Sequence, residues 1–224
     1  LYAWGNNSWG QLGLNTVNIQ NLSPIQIGTG TSWTGISSGL YYNLALQTPG
    51  SLWAWGNNNF GQLGTSNTTL YSSPVQVGTT SWSQIAAGSF TGAAITVLGG
   101  LFTWGLNSIG QLGSAATTNR SSPVQVGTSS WSQVSAVKDS MTGVIVNITN
   151  TVIDGYKLYA WGNNSLGQLG LGDTANRSSP VQVGTNFQTM YSNPVQITSL
   201  PSTGIATNYS YFFDGASNFL IADS

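Results

Sequence analysis

Cysteine, histidine and glutamate are all missing from this 224-residue chain, and each absence removes a class of chemistry. Without cysteine there are no disulfides, no thiolate metal sites and no thiol nucleophile. Without histidine the commonest metal ligand and proton shuttle is gone, and with it every nucleophilic triad of the histidine type. Charge is nearly as scarce. Arg120, Lys138, Lys157 and Arg177 stand against Asp139, Asp154, Asp173, Asp214 and Asp223, so charged residues make up 4% of the chain. Four scattered cations cannot form the basic stripe that a phosphate backbone requires, which argues against nucleic acid and weakens binding to acidic membranes. No apolar run approaches the roughly 18 residues of a membrane span. A surface so poor in charge must be kept soluble by Asn, Ser, Thr and Gln.

What is present is repetition. The stretch LYAWGNNSWGQLG at 1–13 returns as LWAWGNNNFGQLG at 52–64, LFTWGLNSIGQLG at 101–113 and LYAWGNNSLGQLG at 158–170. The tryptophans Trp4, Trp55, Trp104 and Trp161 thus recur about every 50 residues, a period at the long end of solenoids and propellers. Behind each GQLG comes a proline-led strand, SPIQIG at 23–28 and SPVQVG at 73–78, 122–127 and 179–184, then an aromatic residue, Trp33, Trp82, Trp131 or Phe187. One array, 1–224, of four modules at about 1–51, 52–100, 101–157 and 158–224 is the organisation this predicts.

Within the first module, the opening residues read as a short strand, ended by GNNSWGQLG. The glycines of that segment permit positive backbone angles, its asparagines bond local backbone, and Leu12 is expected to plug inward. The alternation at 24–28 predicts a half-buried strand with Ile25 and Ile27 on one face. Trp33–Ser38 and Tyr42–Gln47 predict two more, and Thr48-Pro49-Gly50-Ser51 carries a type II turn signature. Four strands per module, with no helical period, predict an all-β chain: a β-propeller of four-stranded blades, each needing its neighbours to bury its faces. The WG tryptophans are expected between blades.

The WGxNxxGQLG, SPVQV and IAAG blocks resemble the regulator of chromosome condensation repeats over essentially the whole chain. The resemblance implies a ring, usually of seven blades, so four modules suggest a partial propeller or a segment of a larger one. It also implies a spread of functions, from guanine nucleotide exchange on chromatin to bacterial inhibition of a β-lactamase, and fold does not choose among them. Where many members carry a histidine before the innermost apolar run, this chain has Tyr42 and Thr91, and basic tails are absent, which argues against exchange activity.

The irregular positions are the candidates for binding. Tyr41 and Tyr42 have no counterpart in the other modules and read as exposed aromatics. Lys138, Asp139, Asp154 and Lys157 flank a hairpin longer than that of module two, with Asp154-Gly155 suited to a tight type I′ turn. Asp173 and Arg177 resemble the family's loop pair. An insertion near 189–203 adds two prolines, and beyond it Gly204–Thr207 realigns with Gly35–Ser38, so Phe219 should correspond to Asn43. The residues before GQLG, Trp9, Phe60, Ile109 and Leu166, suit packing between blades better than stacking on sugar. Asp139 and Asp154 could in principle act as glycosidase carboxylates, but neither has a repeated setting and no base accompanies any serine. We read the chain as non-enzymatic, without cofactor or metal. It is expected to be a structural or adhesive module on a virus particle, such as a phage fibre or decoration, or one secreted by a bacterium. The alternative is a dedicated protein-binding propeller such as a secreted inhibitor. Its partners would be protein subunits or a surface glycan, with homo-oligomers possible in the same assembly and an extracellular or virion-surface location.

Overall fold

The computed structural model describes residues 1–30, 32–149, 152–184, 208–213 and 218–223, with the backbone alone for 142, 144–149, 152–156, 208–213 and 218–223. Among these the architecture is all-β and antiparallel. Strands β1 (Tyr2–Gly5) and β2 (Asn21–Gln26) form a two-stranded sheet. A four-stranded sheet follows from β3 (Trp33–Ser38), β4 (Tyr42–Gln47), β5 (Ser51–Gly56) and β6 (Tyr71–Gln76). The second comprises β7 (Trp82–Ala87), β8 (Thr91–Thr96), β9 (Leu101–Gly105) and β10 (Arg120–Gln125). The third comprises β11 (Gln133–Ala136), β12 (Ser140–Thr149), β13 (Val152–Gly162) and β14 (Arg177–Gln182). Strands β15 (Asn208–Phe213) and β16 (Asn218–Asp223) pair with each other.

The blades are therefore out of phase with the sequence repeat. Each complete sheet takes its first two strands from one module and its last two from the next, with β13 itself crossing the last boundary: Leu44 pairs with Ala54, Ala94 with Phe102 and Thr142 with Ala160 across the seams. This interlocks neighbouring modules by backbone bonds as well as by packing.

The GNNxxGQLG segments owe their sequence to one hydrogen-bond circuit. Asn58 accepts the Leu63 N–H through Oδ1 at 3.0 Å and donates through Nδ2 to the carbonyls of Asn67 and Thr69. Gln62 accepts the Phe60 N–H and donates to Asn57 Oδ1. The carboxamide-to-leucine bond recurs at Leu12, Leu112 and Leu169, each at 2.9 Å. Those leucines plug the core as expected.

Between blades, Trp55 and Trp104 are buried, and their indole N–H groups donate to the Gln11 and Gln62 carbonyls of the preceding module. Trp161 is equally buried. Trp4 is the exception at 61% exposure, against the expectation of burial, because no described residue supplies the loop that would cover it. Gly92 lies so close beneath Trp104 that a Cβ there would sit 2.3 Å from the indole.

Two local expectations are corrected. Gln47 pairs with Ser51, so the turn closes over 47–50 through the Gly50 N–H and the Gln47 carbonyl, with a cis Thr48–Pro49 bond, instead of a type II turn at 48–51. Asp154-Gly155 makes no tight turn: pairing continues past it to Thr149–Val152, and the register shifts opposite Asp154. Strands β15 and β16 pair from Asn208–Asp223 to Phe213–Asn218. The insertion at 189–203 lies outside the described residues.

Candidate functional site

A hairpin that joins the first two strands of a blade must turn at the blade's end, and in three successive blades these turns fall side by side. Their tips are Leu40–Tyr41, Ser89–Phe90 and Lys138–Asp139. Equivalence is fixed by backbone bonds: Gly39, Gly88 and Val137 donate to the carbonyls of Tyr42, Thr91 and Ser140. Asn57, Leu106 and Asn163 accept no choice of partner either, donating to the carbonyls of Tyr41, Phe90 and Asp139. The tips also bond to each other, Leu40 N–H to the Ser89 carbonyl at 3.2 Å and Ser89 N–H to the Lys138 carbonyl at 3.3 Å. The result is one row, carrying aromatic residues at two tips and a charged pair at the third.

Aromatic residues of the GQLG loops support the row. Trp9 lies against Tyr41 with ring centroids 6.2 Å apart, and Phe60 meets Phe90 edge to face at 5.2 Å. The position before GQLG thus backs the tips in the first two modules, whereas Leu166 in the fourth is exposed.

The predicted site residues separate into three groups. Tyr41, Lys138 and Asp139 meet in the row, Tyr41 and Lys138 exposed and Asp139 half-buried. Tyr42 is a correction. As the first residue of β4 it points into the core at 1% exposure and donates its hydroxyl to the Thr91 carbonyl, and burial pushes its pKa upward. Lys157 and Asp154 lie on the long hairpin beyond the Ser140–Gly162 pair, away from the tips, where Lys157 pairs with Ile145; the Asp154 side chain lies outside the described residues. The sequence reading also missed Phe90. Tyr41 does have a counterpart, and counting from Gly39 and Gly88 into the following strand would have found it.

The Asp173–Arg177 pair does structural work. Arg177 binds Asp173 at 2.6 Å, and with the Ala175 N–H holds the carboxyl below its usual range. Asp173 in turn accepts from Asn164 Nδ2, tying the pair to the loop circuit. Among the described residues no three metal-ligating side chains lie together. The chemistry offered by the row is recognition: apolar rings, backbone amides already bonded to each other, and one lysine beside one aspartate.

Comparison with known proteins gives a consistent picture. The Regulator of chromosome condensation (RCC1) repeat matches residues 1–46, 49–95, 99–138 and 157–207. The chain is similar to a probable E3 ubiquitin-protein ligase, HERC3, of Homo sapiens, at 36% identity over 78 residues, 34% of this chain and 7% of that protein. It is similar to the ultraviolet-B receptor UVR8 of Arabidopsis thaliana at 37% identity over 79 residues, 34% of this chain and 18% of that protein. Both likenesses therefore cover a small part of longer relatives. Among solved structures, Prp20p of Saccharomyces cerevisiae overlays with a TM-score of 0.67 at 21% identity, covering 82% of this chain and 46% of the other.

Proposed function

Because the chain belongs to the regulator of chromosome condensation (RCC1) repeat family, we propose that it is a non-enzymatic propeller module that binds a protein partner through its row of hairpin tips. The observation that carries this reading is the backbone continuity from Leu40 through Ser89 to Lys138, which fixes the spacing of side chains that differ at every tip. A scaffold that repeats while its tips do not is suited to recognition by surface complementarity. Aromatic residues already ordered by Trp9 and Phe60 lose little freedom when a partner covers them.

Relatives support the class of partner. Prp20p is described with binding properties to Gsp1p and histones, and yeast RCC1 with Kap60 bound. The ligase activity named for HERC3 belongs to a protein of which the shared segment is 7%. It supplies no reason to assign catalysis to these repeats.

The setting we propose is outside a cell or on a virus particle, as a fibre, decoration or adhesive component. The motive is a surface built from Asn, Ser, Thr and Gly with 4% charge. Partners there would be other subunits of the assembly, with a surface glycan as the competing ligand. A secreted inhibitor with one stoichiometric partner uses the same row and is favoured by its lack of repetition from tip to tip.

The test is a Tyr41→Ser, Phe90→Ser double variant, whose altered side chains lie outside the core clusters. Immobilised wild-type chain should retain a protein from native particles or culture fluid that the folded double variant fails to retain. Equal capture by both, or binding by the wild type to a glycan array alone, would overturn the assignment.

A further inference from the structure

A tryptophan stands at or just before the start of the first strand in each complete sheet. Trp33, Trp82 and Trp131 lie edge to face against Trp53, Phe102 and Tyr159 of the third strand, with ring centroids 6.2, 5.4 and 5.4 Å apart. Their indole Nε1–H groups are buried, and none of the three has an acceptor within the chain. A buried donor ordinarily has a partner, so each of these positions can take an acceptor from outside the chain.

Trp82 differs from the other two in what surrounds it. It lines a cavity of about 310 Å³ in the seam between the first two complete sheets, together with Val75 and Val77 on one side and Phe102 and Pro123 on the other. A second cavity, of about 430 Å³, adjoins the first, sharing Thr80 and Phe102 and reaching Val97 and Leu98 in the turn between β8 and β9. Those two side chains are 59% and 89% exposed, whereas the turn between β4 and β5 carries Thr48 and Pro49. An exposed apolar turn continuous with a partly apolar groove is surface that water covers unfavourably. No residue lining either cavity is charged.

We propose that this groove docks an uncharged, extended peptide segment of a partner protein, with one of its backbone carbonyls accepting the Trp82 Nε1–H and a proline or branched aliphatic side chain resting against Val97 and Leu98. The uncharged lining has nothing to balance a charged side chain, which would lose its hydration without compensation. An extended segment offers a carbonyl about every 3 Å, so one of them meets a fixed donor while apolar side chains fill the slots beside it. A sugar fits less well, because stacking on a sugar ring needs an open aromatic face. Trp82 is 4% exposed, and the Phe102 ring stands at 86° to it. Polar groups of the walls are already held: Gln76 Nε2 donates to the Gly78 carbonyl, the Tyr71 hydroxyl accepts from Asn67, and Thr96 Oγ1 accepts the Gly100 N–H. The groove thus binds with little ordering of its own side chains. It is separate from the row of hairpin tips, because β8 runs its six residues, about 20 Å, between the Phe90 tip and the Val97 turn.

A phage-displayed library of random dodecapeptides, selected on the immobilised chain, tests the proposal. Selected peptides should be uncharged and rich in proline and branched aliphatic residues. Trp82→Phe keeps a buried ring and removes the N–H, and Leu98→Ser alters an exposed side chain, so both variants keep the fold. Each should bind the selected peptides, made synthetically, about 10-fold more weakly than wild type, while the Tyr41→Ser, Phe90→Ser variant binds them as wild type does. In NMR spectra the Trp82 indole N–H resonance should move downfield on peptide addition, as a donor gains its acceptor. Selection of charged peptides, equal binding to wild type and both groove variants, or no selected peptide at all would overturn the proposal. Binding lost only in the Tyr41→Ser, Phe90→Ser variant would overturn the groove while supporting the row of tips. Glycan-array binding that Trp82→Phe abolishes would overturn it in favour of a sugar.

Discussion

Replacing Trp104 by alanine removes the part of the structure on which two blades depend at once. Its ring is fully buried, packs against Trp82 with centroids 6.3 Å apart, rests on Gly92 and Gly64, and donates Nε1–H to the Gln62 carbonyl at 2.8 Å. Truncation of a large buried aromatic residue costs about 3–5 kcal/mol. Here the upper part of that range is expected, because glycine on both sides leaves no side chain that could relax into the cavity, and the Gln62 carbonyl loses its donor. Trp104→Phe, which keeps most of the ring, should cost about half as much, with the lost hydrogen bond accounting for about 1–2 kcal/mol. Trp4→Ala provides the control, since the same motif there is exposed and should cost less than about 1 kcal/mol. Urea unfolding followed by circular dichroism measures all three. Equal costs for Trp4→Ala and Trp104→Ala, or a Trp104→Ala cost below about 1 kcal/mol, would refute the claim that the WG tryptophans act by filling joints.

Asn58→Ala should destabilise by about 2–4 kcal/mol in the same assay, since one buried carboxamide serves the Leu63 N–H and the Asn67 and Thr69 carbonyls; a loss below about 0.5 kcal/mol would mean that the loop holds without its circuit. The Asp173 carboxyl, held down by Arg177, should titrate below the ordinary value of about 3.9. A lowered folded value means that the pair's contribution is fully present above that ordinary value and is lost as pH falls through the folded one. It is small at this exposed position, and carboxyl NMR titration would refute it by finding a value at or above the ordinary one. Binding of any partner should change little between low and physiological salt because so few charges are present, and a collapse of affinity over that range in an interferometry titration would contradict this.

The repeat and much of the fold were legible in the sequence because the physics is local. The bounds of β3 and β4 follow from alternation, and the inward Leu12 follows from a loop that bonds to itself. The phase of the blades was not legible. Whether β4 bonds to β5 across the module boundary depends on pairing between segments whose patterns are alike, and nothing in the repeat marks where a sheet begins. Tyr42 was misjudged for a related reason. Tyr41 and Tyr42 are adjacent aromatics, one at the hairpin tip and the other the first residue of β4, and only the depth of the hairpin within the blade decides which is covered. Trp4 shows the converse: its AWGNN segment is the same as that of Trp55, yet no described residue covers it. Of the candidate site, Tyr41, Lys138 and Asp139 were found by irregularity, while Phe90 was missed because the two tips share only their leading glycine, Gly39 or Gly88, and their equivalence shows in the backbone bonds. Asp154 and Lys157 were drawn in by a turn signature that the longer hairpin overrides.

The row of tips is the claim on which the functional reading rests, and backbone amide exchange tests it most directly. Gly39 and Gly88 donate within their own hairpins, whereas Leu40 and Ser89 donate to the neighbouring tip. In an isolated hairpin, Leu40 and Ser89 would be the fastest positions. NMR-detected exchange should show all four amides protected, with Leu40 and Ser89 slowed at least about 100-fold relative to unstructured peptide, as expected for amides that open only with a whole blade. Protection at Gly39 and Gly88 with unslowed exchange at Leu40 and Ser89 would mean that the tips stand apart, and that no continuous binding row exists.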